Sequence, residues 1–345
     1  MDYRALGRTG VMVSELCLGC MNFGQPTPEA ESFDIMDRAI DAGVNFFDTA
    51  NVYSRGGSET VVGKALQRNG KRHRIVLATK VHGRMDEDDI LAAGNNRRHI
   101  IQQCDASLKR LQTDYIDLYQ LHRANPEIPI DETLRALDDL IRAGKVRYIG
   151  ASTFPSWRVM ESFWVSKELG LNRFVSEQPP YHLLDRSIER ELIPMAQSYG
   201  LAIIPWSPLA RGFLTGKYKR GEPIPGNSRF SADAGRGAAV ERRRDQHFTD
   251  RGFDILDGVT ELADQNGCSP SQIALAWVLS KPGVTSPIIG PRTMSHLEDN
   301  LGATEVALTD EDHARLDALA EPEMATVPYY HGRMVNLRAS DYSWL

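Results

Sequence analysis

Eight short apolar runs, most of them followed by a stretch with helical spacing, recur along this chain and limit its fold more than any single motif. The runs are "SELCLGC", "VNFFD", "IVLATK", "YIDLYQLH", "VRYIGAS", "FVSEQ", "LAIIPWS" and "VTSPIIG". Near-continuous apolar strands suit a parallel sheet covered on both faces. Helical patterns occupy about 29–43, 58–68, 98–111, 131–143, 156–169, 187–198, 252–265 and 294–301. In the first, Phe33, Ile35, Met36, Ala39 and Ile40 share a face and Gly43 ends it; in the third, Ile100, Ile101, Cys104, Leu108 and Leu111 do the same. Eight such units in about 300 residues predict an α/β fold, a closed (β/α)8 barrel of the TIM type.

Additions to the repeat are few. "GRTG" predicts an N-terminal hairpin, and "SPSQIALAWVLSK" an extra helix with Ser269 as N-cap and Pro270 in its first turn. A further helix is expected near 310–319, followed by an aromatic tail carrying Tyr329, Tyr330, Tyr342 and Trp344. No low-complexity linker divides the chain, so one domain is expected over 1–345, with the barrel at about 15–301 and the C-terminal helix and tail at about 309–345.

A formal net charge of −6, from 40 Lys+Arg against 46 Asp+Glu, argues against a nucleic-acid-binding surface. The start "MDYRALGRTG" has no apolar signal core, and no run approaches the roughly 18 apolar residues of a membrane span. A soluble cytoplasmic protein with no membrane partner is expected; an oligomer is compatible with the sequence. Cys17 and Cys20 form a C-x-x-C, but no second pair or histidine cluster accompanies them, so no metal site is expected. In a strand, positions three apart face opposite ways. Both, with Cys104 and Cys268, read as buried small hydrophobes.

In a barrel of this kind the active site lies at the C-terminal strand ends. Those ends carry Asp48, Lys80, His122, Ser152, Gln178 and Ser207, with Tyr53 in the loop after the second strand. Each alone suits an ordinary role as cap, rim residue or loop packing. On consecutive strands they converge. A tyrosine titrates near pH 10, about three units too high for a good acid at neutrality, but a nearby cation favours phenolate, and a carboxylate holds the cation. Asp48, Lys80 and Tyr53 are therefore expected to form a proton relay, with His122 orienting a substrate oxygen: a donor aimed at a carbonyl that becomes an alkoxide.

The fragments "FDTANVYSRGGSE", "ATKV", "SLKRLQTDYIDLYQLHR", "AGKVRYIGAS" and "PWSPLARGFLTGKY" together resemble the aldo-keto reductases through nearly the whole chain. The resemblance implies a barrel that binds NADP(H) without a Rossmann domain, which accounts for the missing G-x-G-x-x-G. It implies a catalytic tetrad of Asp48, Tyr53, Lys80 and His122. Ser152 and Gln178 would bind the nicotinamide carboxamide, and Trp206 would stack on its ring. Main chain from Ser207 to Leu209, with Gly212, Leu214 and Gly216, would follow the pyrophosphate. Gly290, Arg292, His296, Asp299 and Asn300 would meet the adenosine 2'-phosphate and adenine, and Arg229 would close over the cofactor. The tail would fold over the barrel rim as a wall of the substrate pocket. The substrate would be a small-molecule aldehyde, sugar or other secondary carbonyl compound, nucleotide sugars included.

Departures from the family pattern touch the cofactor site. Ser152-Thr153 stands where Ser-Asn is common, and His296 where Gln or Arg is commoner, so NADPH is expected with NADH as the less favoured cofactor. "GFLTGK" is too short for a P-loop, and Tyr218 follows it, so a nucleoside triphosphate is not expected. Arg242 to Arg244, beside Glu241 and Asp245, reads as a solvated loop. Two alternatives stay open: a lyase forming a Schiff base on Lys80, and a regulatory subunit of the potassium-channel beta type, which resembles the same family.

Overall fold

The computed structural model of the chain describes residues 1–226, 228–232, 241 and 244–322. An antiparallel hairpin comes first, β1 (Tyr3–Ala5) against β2 (Met12–Ser14). The other strands are β3 (Cys17–Gly19), β4 (Phe46–Asp48), β5 (Val76–Val81), β6 (Ile116–Leu121), β7 (Val146–Ser152), β8 (Ser176–Gln178), β9 (Ala202–Ile203) and β10 (Ile288–Ile289). They form one parallel sheet of eight strands in the order β10-β3-β4-β5-β6-β7-β8-β9. Between its two ends, Ile203 bridges Val284 and the Ile288 N–H donates to the Pro205 carbonyl at 2.8 Å. The chain is a (β/α)8 barrel, as its periodicity predicts.

Around it lie α1 (Glu29–Asp41), α2 (Gly57–Asn69), α3 (Arg97–Leu111), α4 (Ile130–Arg142), α5 (Ser156–Leu169) and α6 (Leu192–Tyr199). They are followed by α7 (Arg229–Ala232), α8 (Asp250–Asn266), α9 (Pro270–Ser280), α10 (Met294–Gly302) and α11 (Asp310–Leu319). Ser269 caps α9 as predicted, and Gln272 completes a reciprocal capping box with it. Two expectations need trimming. β9 and β10 cover only part of their apolar runs, because Pro205 and Pro287 have no N–H to give a ladder. The helical pattern at 187–198 breaks into a 3-10 turn (Ser187–Glu189) and α6, since Pro194 is tolerated only near a helix start.

Alternation along the strands separates two cores. Cys17, Phe46, Ala78, Leu118, Ala202 and Ile204 point into the barrel, where Leu6 and Val13 of the hairpin plug them from below. Phe47, Leu77, Tyr119, Ile149 and Ile203 face the helices. One inward step up from the plug, the same face turns polar: Phe46 leads to Asp48, Ala78 to Lys80, and Leu118 to Gln120 and then His122. The site thus stands on a packed apolar floor.

Cys17 and Cys20 fall into different cores, as alternation requires. Cys268, expected to be buried, is half-exposed because it lies on the turn between α8 and α9. Residues 323–345, including the aromatic tail, lie outside the described residues, as do Arg242 and Arg243; Arg244 pairs with Asp245 at 2.8 Å. No described helix is long and apolar enough to cross a membrane.

Candidate active site

Backbone pairing continues past the end of β4 and fixes the segment that carries Asp48 and Tyr53. The Cys20 N–H donates to the Asp48 carbonyl at 2.8 Å, Thr49 N–H to Ala78 at 2.9 Å, and Asn51 N–H to Lys80 at 3.1 Å. Below the loop, Ser58 Oγ donates to the Cys20 carbonyl at 2.7 Å and lies 2.8 Å from Thr49 Oγ1. After Tyr53 the chain turns sharply through Ser54 and Arg55, both at positive φ (50° and 51°). Gly56 follows at φ 93°, where a side chain would meet Arg110 Cδ at 2.6 Å. The turn is held by Tyr53 N–H to the Ala50 carbonyl and Arg55 N–H to the Val52 carbonyl, both at 3.1 Å, and leaves Tyr53 at the mouth of the barrel.

Lys80 is fully buried, and its ammonium donates to Asp48 Oδ1 at 2.5 Å, the Thr49 carbonyl at 2.9 Å and the Tyr53 hydroxyl at 3.3 Å. Burial alone disfavours that charge, but the Asp48 carboxylate, and after it Tyr53, outweigh the loss of hydration and raise the lysine above its ordinary pKa. It is an ammonium at neutral pH. His122 follows the end of β6, with its ring edge-on to Tyr53 (centroids 5.6 Å apart, 84° between planes). Burial first, then the positive charges of Lys80 and Arg123 and the nearby His82, push its pKa down to about 2. A neutral imidazole keeps one N–H to donate and one nitrogen to accept.

The four tetrad candidates therefore share one site. Gln178 joins them, donating from Nε2 to Asp48 Oδ2 at 2.9 Å. Ser152 Oγ donates to the Gln178 carbonyl at 2.9 Å. Thr153, at φ 57°, accepts from Arg123 Nη1 at 2.9 Å, so a cation stands beside the position where an asparagine is common.

The remaining candidates lie on the loops after β9 and β10. Trp206 is half-buried, and its shielded Nε1–H has no partner. Ser207 takes φ 55° before the 3-10 segment Ala210–Thr215, Gly212 φ 86° inside it and Gly216 φ 78° just after it, while Leu209 is half-buried and Leu214 fully buried. Some main-chain donors expected to follow a pyrophosphate are used internally: Gly212 N–H bonds to Leu209 O at 2.8 Å and Leu214 N–H to the same oxygen at 3.3 Å. Arg229, on α7, reaches Met21 Sδ at 3.9 Å across the rim.

The segment after β10 is clamped by the loop after β3. Asn22 Nδ2 donates to the Gly290 carbonyl at 3.1 Å and Thr27 Oγ1 to the Arg292 carbonyl at 3.0 Å. Asn300 is buried in α10, and the Asp299 carbonyl accepts from Gln272 at 3.0 Å. Partial desolvation and then Arg292 lower Lys217; desolvation, then Lys217 and Arg292, lower His296. Among the described residues, no carboxylate forms a salt bridge with Lys217 or Arg292. Asp299 and Glu31 act on His296 in the opposite sense, but Lys217 and Arg292 stand together without a paired carboxylate among those residues, an arrangement that suits an anion.

Sequence reasoning missed four of these groups. Gln120 lies one inward step below His122, and period two alone would have found it. Lys217 ends the "GFLTGK" run, which is too short for a P-loop, and only the fold brings it to Arg292 and His296. Asn22 and Thr27 carry no motif.

A model of the aldo/keto reductase family matches residues 15–321. The chain is 40% identical to Uncharacterized oxidoreductase YrpG of Bacillus subtilis over 90% of this chain and 93% of that one. It is 38% identical to Versiconal hemiacetal acetate reductase of Aspergillus parasiticus over 93% and 97%. With a Probable voltage-gated potassium channel subunit beta of rice, Oryza sativa subsp. japonica, identity is 35% over the same shares. With a matching family model over most of its length and relatives 35% to 40% identical across nearly all of it, the chain belongs to the aldo/keto reductase family and is an oxidoreductase by that membership.

Proposed function

We propose that the protein reduces an aldehyde or ketone to an alcohol with NADPH, and that Tyr53 supplies the proton. The observation that carries this reading is the Tyr53 hydroxyl 3.3 Å from a buried ammonium that is itself held by Asp48 at 2.5 Å. The nicotinamide, when bound, supplies the hydride. Tyr53 gives its proton to the substrate oxygen as negative charge grows there, and the Lys80 ammonium stabilises the phenolate left behind. His122, neutral, donates a hydrogen bond to the same oxygen and holds the carbonyl in place. Asp48 keeps the ammonium in position.

The residues present fit this cofactor. Ser152 and Gln178 stand together for an amide, and Trp206 offers a ring with an unpartnered N–H. Lys217, Arg292 and His296 form a basic cluster for a phosphate, which favours NADPH over NADH. A Schiff-base reading finds less support, because a lysine nucleophile must be neutral and the surroundings of Lys80 hold it charged. NADPH oxidation across a panel of aldehydes, ketones and sugars tests the proposal, with Tyr53→Phe beside the wild type. We expect the variant to lose about 10²- to 10⁴-fold in kcat while its NADPH affinity stays within a few-fold. Near wild-type turnover in the variant removes Tyr53 from its role. A wild type that turns over no carbonyl leaves the reading of relatives named channel subunits in its place.

A further inference from the structure

We propose that Gln120 is a positioning residue that couples the proton relay to the nicotinamide amide site, an inference that rests on the cofactor reading above. Gln120 is fully buried on β6, in register with Lys80 on one side and Gly150 on the other. Its Nε2 donates to Asp48 Oδ2 at 3.0 Å, and its Oε1 accepts from Gln178 Nε2 at 3.2 Å. Gln178 Nε2 also donates to Asp48 Oδ2, at 2.9 Å. One carboxylate oxygen thus holds the lysine and the other holds two glutamines.

The orientation of these amides follows from the acceptor. A carboxylate only accepts, so both glutamines turn their NH2 groups toward Asp48. Gln178 then has both N–H bonds engaged, on Asp48 and on Gln120, and its Oε1 is left to accept from a bound amide. The neighbouring strand leaves space here: a side chain at Gly150 would meet Ser176 Oγ at 2.4 Å first and Gln120 Cγ at 3.2 Å. Without Gln120, Asp48 Oδ2 loses one of its two donors and the Gln178 amide loses an acceptor. A single substitution would therefore disturb the carboxylate that fixes Lys80 and the amide that reads the nicotinamide.

Gln120→Met keeps the length of the side chain and removes its hydrogen bonds. Two readouts judge it. The first is the alkaline phenolate absorbance belonging to Tyr53, taken as the difference from a matched Tyr53→Phe protein, which needs no cofactor or substrate. Its midpoint should move by about half a pH unit or more. The second is binding, where NADPH should weaken about 3- to 10-fold while adenosine 2',5'-bisphosphate, which lacks the nicotinamide, is unchanged. An unmoved midpoint, or an unchanged ratio of the two affinities, overturns the proposal. If the wild type binds neither compound, the cofactor reading falls, and the midpoint alone decides for or against Gln120. Should Gln120→Met not fold, Gln120→Glu serves in its place. Beside Asp48 the introduced carboxyl stays neutral at moderate pH and keeps one donor at the same reach. It should hold the wild-type affinity ratio at low pH and lose it as the new acid ionises; a ratio independent of pH overturns the proposal.

Discussion

The Lys80 ammonium lies 2.5 Å from Asp48 Oδ1 with its own side chain fully buried and the carboxylate only 4% exposed. A pair this deep is costly to halve. Removing one partner leaves the other as an uncompensated buried charge, which costs about 3–5 kcal/mol. Lys80→Met should therefore lower unfolding stability by about that much, as well as activity. Denaturant unfolding at neutral pH checks it. A loss of only a few tenths of a kcal/mol would mean that the pair is solvated in solution.

Arg292→Ala should weaken NADPH about 10- to 100-fold, the range of one or two charge-assisted hydrogen bonds, and leave NADH almost untouched. Raising the salt concentration should narrow the gap between wild type and variant. Lys217→Ala should move in the same direction, since Arg292 acts on Lys217 and both act on His296 as parts of one basic cluster. Equal losses for both cofactors would place the phosphate elsewhere. Fluorescence titration of each protein with NADPH and NADH gives the answer.

Neutral His122 makes a stability prediction. Its pKa lies at about 2 in the folded chain against an ordinary 6.5, so between those values the unfolded chain binds more protons and stability rises with pH. The contribution is complete above about 6.5 and is lost as pH falls. His182, lowered to about 4 by burial and then by His247, adds in the same direction. His122→Asn should flatten the rise in urea midpoint between about pH 4 and 7. Parallel profiles for variant and wild type would show that the imidazole is charged in the folded protein.

Legibility in the sequence followed periodicity. The barrel was readable because each buried strand is an apolar run bounded by turn residues, and strand ends point to one rim whatever their exact length. Asp48, Lys80 and His122 stand on those ends, so topology alone brought them together. Gln120 and Gln178 show the limit of that approach. Gln178 is a terminal residue of β8 and so stands among the strand-end candidates; Gln120 is interior to β6 and does not, though the same inward alternation reaches both. The clamp of Asn22 and Thr27 on Gly290 and Arg292 joins loops about 265 residues apart, and no local pattern encodes such a contact.

Glu177 carries the last prediction. It points away from the Gln178 side of β8, is fully buried, and accepts from the Phe154 N–H at 2.9 Å through Oε1, while Oε2 has no partner. Burial pushes its pKa from 4.5 up to about 8, against the pull of the Phe154 and Thr153 N–H groups and of Arg123. The folded chain therefore binds the extra proton between those values. Stability from this group is fully present below about 4.5 and is lost as pH rises through about 8, the opposite sense to His122. Glu177→Gln keeps an acceptor for Phe154 and cannot ionise. The variant should match the wild type within about 0.5 kcal/mol at pH 5, the ordinary range for a mild change. It should then become the more stable of the two at pH 9. Thr153, whose hydroxyl Arg123 holds, lies in the loop that Glu177 supports, so cofactor affinity of the wild type should also fall at alkaline pH while that of the variant holds. Urea midpoints and NADPH titrations at pH 5, 7 and 9 separate the cases. A constant stability difference across that range would show that Glu177 is ionised throughout and that its buried oxygen finds a partner in solution.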